Sequence, residues 1–138
     1  MPAFPLQPVC LPEARAGVPS DSGDECTAPS EAIFDKISMS AFEGTPLNFA
    51  LRDCGIDAFA IVGIAMEIGI EPTVRHGADL GYIPVVVKDA CGFAHRDAAE
   101  RSIASLEFAA DALFTNADTF CAQLGRNHSA RAGAPAQQ

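Results

Sequence analysis

Two unbroken apolar runs, residues 58–62 (AFAIV) and 82–87 (YIPVVV), leave this chain little choice of architecture. A strand with one wet face alternates apolar and polar residues, whereas an unbroken run fits a strand covered on both faces, as in a parallel sheet. Between the runs lies helical sequence, roughly residues 70–80, with Gly81 placed as its left-handed cap. Further on, Ala99, Ile103, Leu106 and Ala110 share one face of a helix predicted over 97–110. Residues 112–115 read as a short strand, and Asn116 is placed to cap a last helix ending at Leu124. Upstream, residues 32–34 make a short strand candidate. Thr45-Pro46 supplies an N-cap with proline at the first helical position, and Leu47, Ala50 and Leu51 form a stripe that Gly55 stops. Strands alternating with helices at this spacing predict right-handed β-α-β units and a three-layer, mostly parallel α/β sheet of Rossmann-like type.

The 138 residues are enough for one domain with a buried core. Residues 1–30 hold six of the ten prolines and show neither helical nor strand period, so they read as an irregular N-terminal arm. Residues 31–124 carry the periodic pattern, and 125–138, rich in Ala, Gly, Pro and Gln, read as a flexible tail. The net charge of −9 argues against nucleic acid as a partner, since phosphate affinity comes from Lys and Arg. Five cysteines, odd in number, irregular in spacing and without a C-x-x-C, signal neither a disulfide framework nor a zinc site. No signal peptide and no apolar run near the ~20 residues of a membrane span is visible. The expectation is a cytoplasmic protein with no membrane association, no metal and no cofactor.

Ligands of open parallel sheets bind beyond the carboxyl ends of the strands, so chemistry is sought just after each apolar run. After the run 58–62 comes Gly63-Ile64-Ala65-Met66-Glu67-Ile68-Gly69. Its glycines either free backbone N–H groups near a helix N-terminus to hold an anion, or simply permit a tight turn. Lys36 follows the first short apolar run and can stabilise negative charge there, or stand as a solvated strand-end lysine. Asp89 resembles a carboxylate accepting local backbone hydrogen bonds at a strand end. Cys91 reads first as a small apolar residue and second as a nucleophile. His76 and His95 have no metal-like partner spacing.

Taken in order, these pieces resemble the isochorismatase-like superfamily of nicotinamidases, other small-amide cysteine hydrolases and isochorismatases proper. Lys36-x-x-x-Ser40-Ala41-Phe42-x-x-Thr45-x-Leu47 matches the family's lysine segment. The run 58–62 with Gly63-Ile64-Ala65, then Glu71-x-Thr73 and Gly81-Tyr82, matches its nucleophile segment, and Val85-Val86-Val87-Lys88-Asp89-Ala90 matches the next strand. The resemblance covers residues 31–124. It implies the isochorismatase-like hydrolase fold, with the first strands missing or remodelled, a small-molecule amide or vinyl-ether substrate, and a homo-oligomer.

By the same resemblance, relatives of the cysteine type use an Asp as base, a Lys to stabilise charge, and a Cys thiolate to attack. Here Lys36 takes the lysine position, Gly69 falls where the Cys belongs, and residues 1–30 contain no apolar run ending in Asp. Some isochorismatases share the Ile68-Gly69 pair and cleave a vinyl ether by acid catalysis, which still needs a proton donor. The family also implies a cis peptide bond between Ile64 and Ala65, turning the amides of Ala65 and Gly69 toward an oxyanion. The implied site is therefore Lys36 and Gly69 with Ala65 and Ile64, while Cys91, Asp89 and Phe42 are further possibilities. Four readings stand: an active hydrolase without the cysteine, an inactive ligand- or partner-binding member, an enzyme in which Cys91 has taken over, and a truncated product of a longer hydrolase.

Overall fold

The computed structural model of the chain describes residues 32–132. Among them the elements run α1 (Leu47–Asp53), β1 (Ala58–Gly63), a π-helical turn (Met66–Ile70) passing directly into α2 (Glu71–Asp79), β2 (Ile83–Cys91), α3 (Arg96–Ala109), β3 (Leu113–Thr115) and α4 (Ala117–Ala132). The strands form one sheet in the order β1-β2-β3, and both pairs are parallel. The architecture is α/β, as the alternating pattern predicts.

Register explains the core. Ile61 lies opposite Val86, and Val86 opposite Phe114, so three apolar side chains line up across the strands on one face. Met66, Ile70 and Val74 from the π-helical turn and α2, with Ala99 and Leu106 from α3, close over them. Val74, Val86 and Leu106 have no accessible surface. Each such side chain is worth about 1.5–3 kcal/mol relative to exposure. Val87, which points to the other face, is also buried, and α4 packs against β2. A second cluster of Phe42, Leu51, Ile56 and Tyr82 holds α1 to the body. Here Gly77 is required by close approach, because a Cβ on it would stand 2.8 Å from two ring carbons of Phe59.

Several expectations change in the fold. Residues 32–36 form no strand; the chain turns here into a loop in which Lys36 bonds the Ser38 and Met39 carbonyls. The run 58–62 was expected to be covered on both faces, yet β1 is only half-buried and Val62 is 56 % exposed. Among the described residues β1 stands at one end of the sheet, which its sequence cannot reveal. The helix expected from residue 70 begins with a π-helical turn at Met66, and the last helix runs past Leu124 to Ala132. Thr45 Oγ1 accepts the Leu47 amide at 3.2 Å, but the residue bordering α1 is Pro46, so the capping pair lies one residue earlier than expected. Gly81 (φ +89°) and Asn116, whose Oδ1 accepts the Thr119 amide at 2.8 Å, take the roles expected of them.

Candidate active site at the carboxyl end of the sheet

The turn after β1 is stitched to the end of β2. Gly92 donates its amide to the Gly63 carbonyl, and Met66 donates to the Gly92 carbonyl, both at 2.8 Å. The Ile64–Ala65 peptide bond inside this turn is cis. The Ala65 carbonyl then accepts the amides of Ile68, Gly69 and Ile70 at 3.1, 2.9 and 3.1 Å. This corrects the expected anion cradle: the Gly69 N–H is consumed inside the helical turn, as interior helix amides are. The Ala65 amide has no hydrogen-bond acceptor among the described residues.

Lys36 reaches this turn through a loop. Its Nζ donates to the carbonyls of Ser38 at 2.8 Å and Met39 at 3.1 Å. A Cβ on Gly69 would lie 3.8 Å from the Met39 oxygen and 3.9 Å from the Ile64 oxygen, with nothing nearer. The ammonium group and the open side of Gly69 therefore meet at one atom, the Met39 carbonyl oxygen. No carboxylate among the described residues pairs with Lys36, whose bonds run only to carbonyls. An exposed cation with no ion-pair partner among the described residues, beside a glycine with room for a side-chain atom, is suited to a small anionic or carbonyl-bearing group.

Two clamps hold the loop in place, and sequence reading missed both. Thr73, buried on α2, accepts the Ala41 amide at 2.9 Å and donates to the Gly69 carbonyl at 2.7 Å. Ser40 Oγ lies 3.0 Å from His76 Nδ1 and accepts the Phe42 amide at 3.2 Å. Thr73 appeared in the family motif, but its partners are separated from one another by more than a helix. Only the fold shows that it ties the Lys36 loop to Gly69.

The other sequence candidates lie elsewhere. Phe42 is a core residue, stacked on Tyr82 with ring centroids 5.6 Å apart. Asp89 accepts no local bond; its Oδ1 takes the amide of Ala117, capping α4 at 2.8 Å. The Cys91 thiol is turned back into the sheet, donating to the Val87 carbonyl at 3.2 Å. Burial, with the charge of Asp89 added, pushes that thiol up, which suppresses the thiolate a nucleophile needs. Glu67, two residues before Gly69, also faces away. Its Oε1 accepts the amides of Ala94 at 2.8 Å and His95 at 2.6 Å, while Oε2 is buried without a partner. Its own backbone amide and that of His95 hold the carboxyl below the usual range, against the opposing effect of desolvation. Glu67 is thus an anionic clamp on the start of α3 and not a proton donor near neutrality. Among the described residues no cluster of His, Cys, Asp and Glu could hold a metal ion, and no helix is long and apolar enough to cross a membrane.

The sequence profile of the Isochorismatase domain matches residues 15–118. The chain belongs to the isochorismatase family. Among its relatives is the uncharacterized isochorismatase family protein YecD of Escherichia coli O157:H7, 34% identical over 101 residues that cover 70% of this chain and 54% of YecD. An isochorismatase family protein from Desulfovibrio vulgaris superposes with a TM-score of 0.64 at 28% identity, over 72% of this chain and 52% of that one. The pyrazinamidase/nicotinamidase of Streptococcus mutans UA159 superposes with a TM-score of 0.56 at 27% identity, over 59% of this chain and 45% of that one. The isochorismatase-family chain spans about half the length of YecD. Within it, the three parallel strands and their helices belong to the isochorismatase-like hydrolase fold.

Proposed function

We propose that this isochorismatase-family chain binds a small amide- or carboxylate-bearing molecule at the Lys36–Gly69 site and does not run a covalent hydrolytic cycle there. The carrying observation is the meeting of the Lys36 ammonium and the open side of Gly69 at the Met39 oxygen, 3.1 and 3.8 Å away. A cation fixed by two carbonyls attracts a carboxylate or polarises a carbonyl oxygen, and the Ala65 amide adds a donor without a competing acceptor. Covalent turnover needs a nucleophile at position 69, and glycine has none. Acid-catalysed cleavage of a vinyl ether needs a proton donor; of the two carboxyls two residues from Gly69, Glu67 is held in its charged form by backbone amides, and Glu71 is engaged by Arg75 and Ser102. The Cys91 reading is disfavoured by the direction of its thiol and the upward push on its acidity.

The amidase named among the structural relatives motivates the choice of ligand class, and the family resemblance motivates a homo-oligomer. The acidic surface disfavours nucleic acid. Calorimetric titration with nicotinate, nicotinamide and benzoate tests the reading, with a parallel assay for ammonia release from nicotinamide. Binding of at least one of these, weakened about tenfold or more in Lys36→Met by loss of a charge-assisted bond, without ammonia release, is the expected result. Ammonia release from nicotinamide by the wild-type chain, no binding of any of the three, or binding indifferent to Lys36→Met contradicts it.

A further inference from the structure

The loop that carries Lys36 is bonded mostly to itself. Lys36 Nζ holds the Ser38 and Met39 carbonyls, and the Ser38 hydroxyl is shared between the carbonyls of Ser40 at 2.9 Å and Glu43 at 2.7 Å. The Phe42 amide donates to Ser40 Oγ, the Glu43 amide to the Ser40 carbonyl, and the Thr45 hydroxyl to the Ala41 carbonyl. Among the described residues, two hydrogen bonds tie residues 36–43 to the body beyond α1, and both end on α2. They are Ala41 N–H to Thr73 Oγ1 and Ser40 Oγ with His76 Nδ1. The ammonium group therefore stands wherever these ties put the loop.

Gly69, Thr73, His76 and Gly77 follow one another at helical spacing, and each meets the loop. The Met39 oxygen lies beside Gly69, Ala41 bonds Thr73, Ser40 bonds His76, and Phe42 Cε2 would stand 3.1 Å from a Cβ on Gly77. Threonines in helices commonly turn the hydroxyl back to the carbonyl four residues earlier, and the 2.7 Å bond from Thr73 to the Gly69 carbonyl is of that kind. A second bond sets Thr73 apart from that habit. The same oxygen accepts the Ala41 amide, 32 residues away in sequence, at 2.9 Å. One atom is thus bonded to residue 69 and to the chain two residues after Met39, whose carbonyl holds the ammonium. Thr73 is 4 % exposed, so water offers the Ala41 amide no ready substitute. The Ser40–His76 bond is only half-buried and does not reach residue 69.

We infer that Thr73 is a positioning residue for ligand binding: its hydroxyl sets where the Lys36 ammonium stands beside Gly69, without itself touching the ligand. The inference rests on the binding reading proposed above and assigns the affinity of that site partly to a side chain outside it.

Calorimetric titration of the full chain with nicotinate, nicotinamide and benzoate tests it in the parent, Thr73→Val, Thr73→Ser, Lys36→Met and the double variant Lys36→Met/Thr73→Val. Valine replaces the hydroxyl by a methyl group and leaves the Ala41 amide without its acceptor. The Kd should rise about five- to tenfold in Thr73→Val, as expected for one lost buried hydrogen bond. Thr73→Ser, which keeps the hydroxyl, should bind within about twofold of the parent, and Thr73→Val should cost nothing further once Lys36 is gone. A purely structural threonine would weaken binding equally in both backgrounds. Binding that weakens in Lys36→Met but not in Thr73→Val, no recovery in Thr73→Ser, or equal losses from Thr73→Val with and without Lys36 overturns the inference alone. No binding by the parent, or binding indifferent to Lys36→Met, overturns it together with the binding reading. Where Lys36→Met binds too weakly to measure, recovery in Thr73→Ser decides. Should Thr73→Val fail to fold, hydrogen exchange of the Ala41 amide in the parent decides: protection that increases with ligand is expected, and exchange as fast as an exposed amide, or indifferent to ligand, overturns the inference.

Discussion

Gly69 and Gly77 lie on the same helical run, but one methyl group would meet different surroundings at each. At Gly77 it would stand 2.8 Å from Cε1 and Cζ of Phe59 and 3.1 Å from Cε2 of Phe42. Those rings cannot swing aside cheaply, because each also packs against Tyr82, at 6.0 and 5.6 Å between centroids. Overpacking of this kind costs about 1–3 kcal/mol. Alanine returns up to about 1 kcal/mol of helix propensity, so Gly77→Ala should lose up to about 2 kcal/mol. At Gly69 the nearest atoms stand 3.8 and 3.9 Å away, ordinary contact distances. With no clash to offset, Gly69→Ala should be neutral or gain up to about 1 kcal/mol. Urea unfolding followed by circular dichroism measures both, with midpoints compared at constant slope. Gly69→Ala more destabilising than Gly77→Ala would refute the reasoning, since it would mean the space beside Gly69 is not open.

Leu106→Ala empties a position with no accessible surface and should cost about 2–5 kcal/mol in the same unfolding assay; a loss well under that range would mean α3 does not seal the core. Glu67 has its folded pKa lowered, so its contribution is complete above the ordinary carboxyl value of ~4.3 and is lost as pH falls from there through the lowered value. Glu67→Gln should therefore be less stable than the parent at neutral pH, with the difference shrinking on acidification; a difference that grows in acid would reverse the assigned sign. Cys91 should react with iodoacetamide more slowly than the exposed Cys121 in the folded protein, read by peptide mass spectrometry. Equal rates would reopen Cys91 as a nucleophile.

Much of the fold was legible because local signals agree with the tertiary structure. Gly81 and Asn116 terminate and start helices through their own backbone or side chain, and the apolar runs reappear as strand, 58–62 inside β1 and all of 82–87 but Tyr82 inside β2. What was not legible depends on neighbours. The same apolar run serves a central or an edge strand, so the exposure of β1 could not be read from its residues. Residues 32–34 have strand-like composition, but composition does not say whether so short a run joins a sheet, and among the described residues this one does not.

The site divides in the same way. The motif placed Lys36 beside Gly69, and both meet at Met39. The direction of side chains was beyond it: Asp89 turns to α4, Cys91 turns into the sheet, and Glu67 turns to the start of α3. The Gly69 amide was expected to be free, and a π-helical turn that leaves no mark in the sequence occupies it.

A thiol placed at position 69 would sense the ammonium group directly. In Gly69→Cys, the rate of alkylation of the introduced thiol, followed against pH by peptide mass spectrometry, should show a midpoint clearly below the ordinary ~8.5, rising back in the double variant with Lys36→Met. A midpoint at the ordinary value that ignores the Lys36 substitution would contradict the pairing of Lys36 with Gly69 as one site.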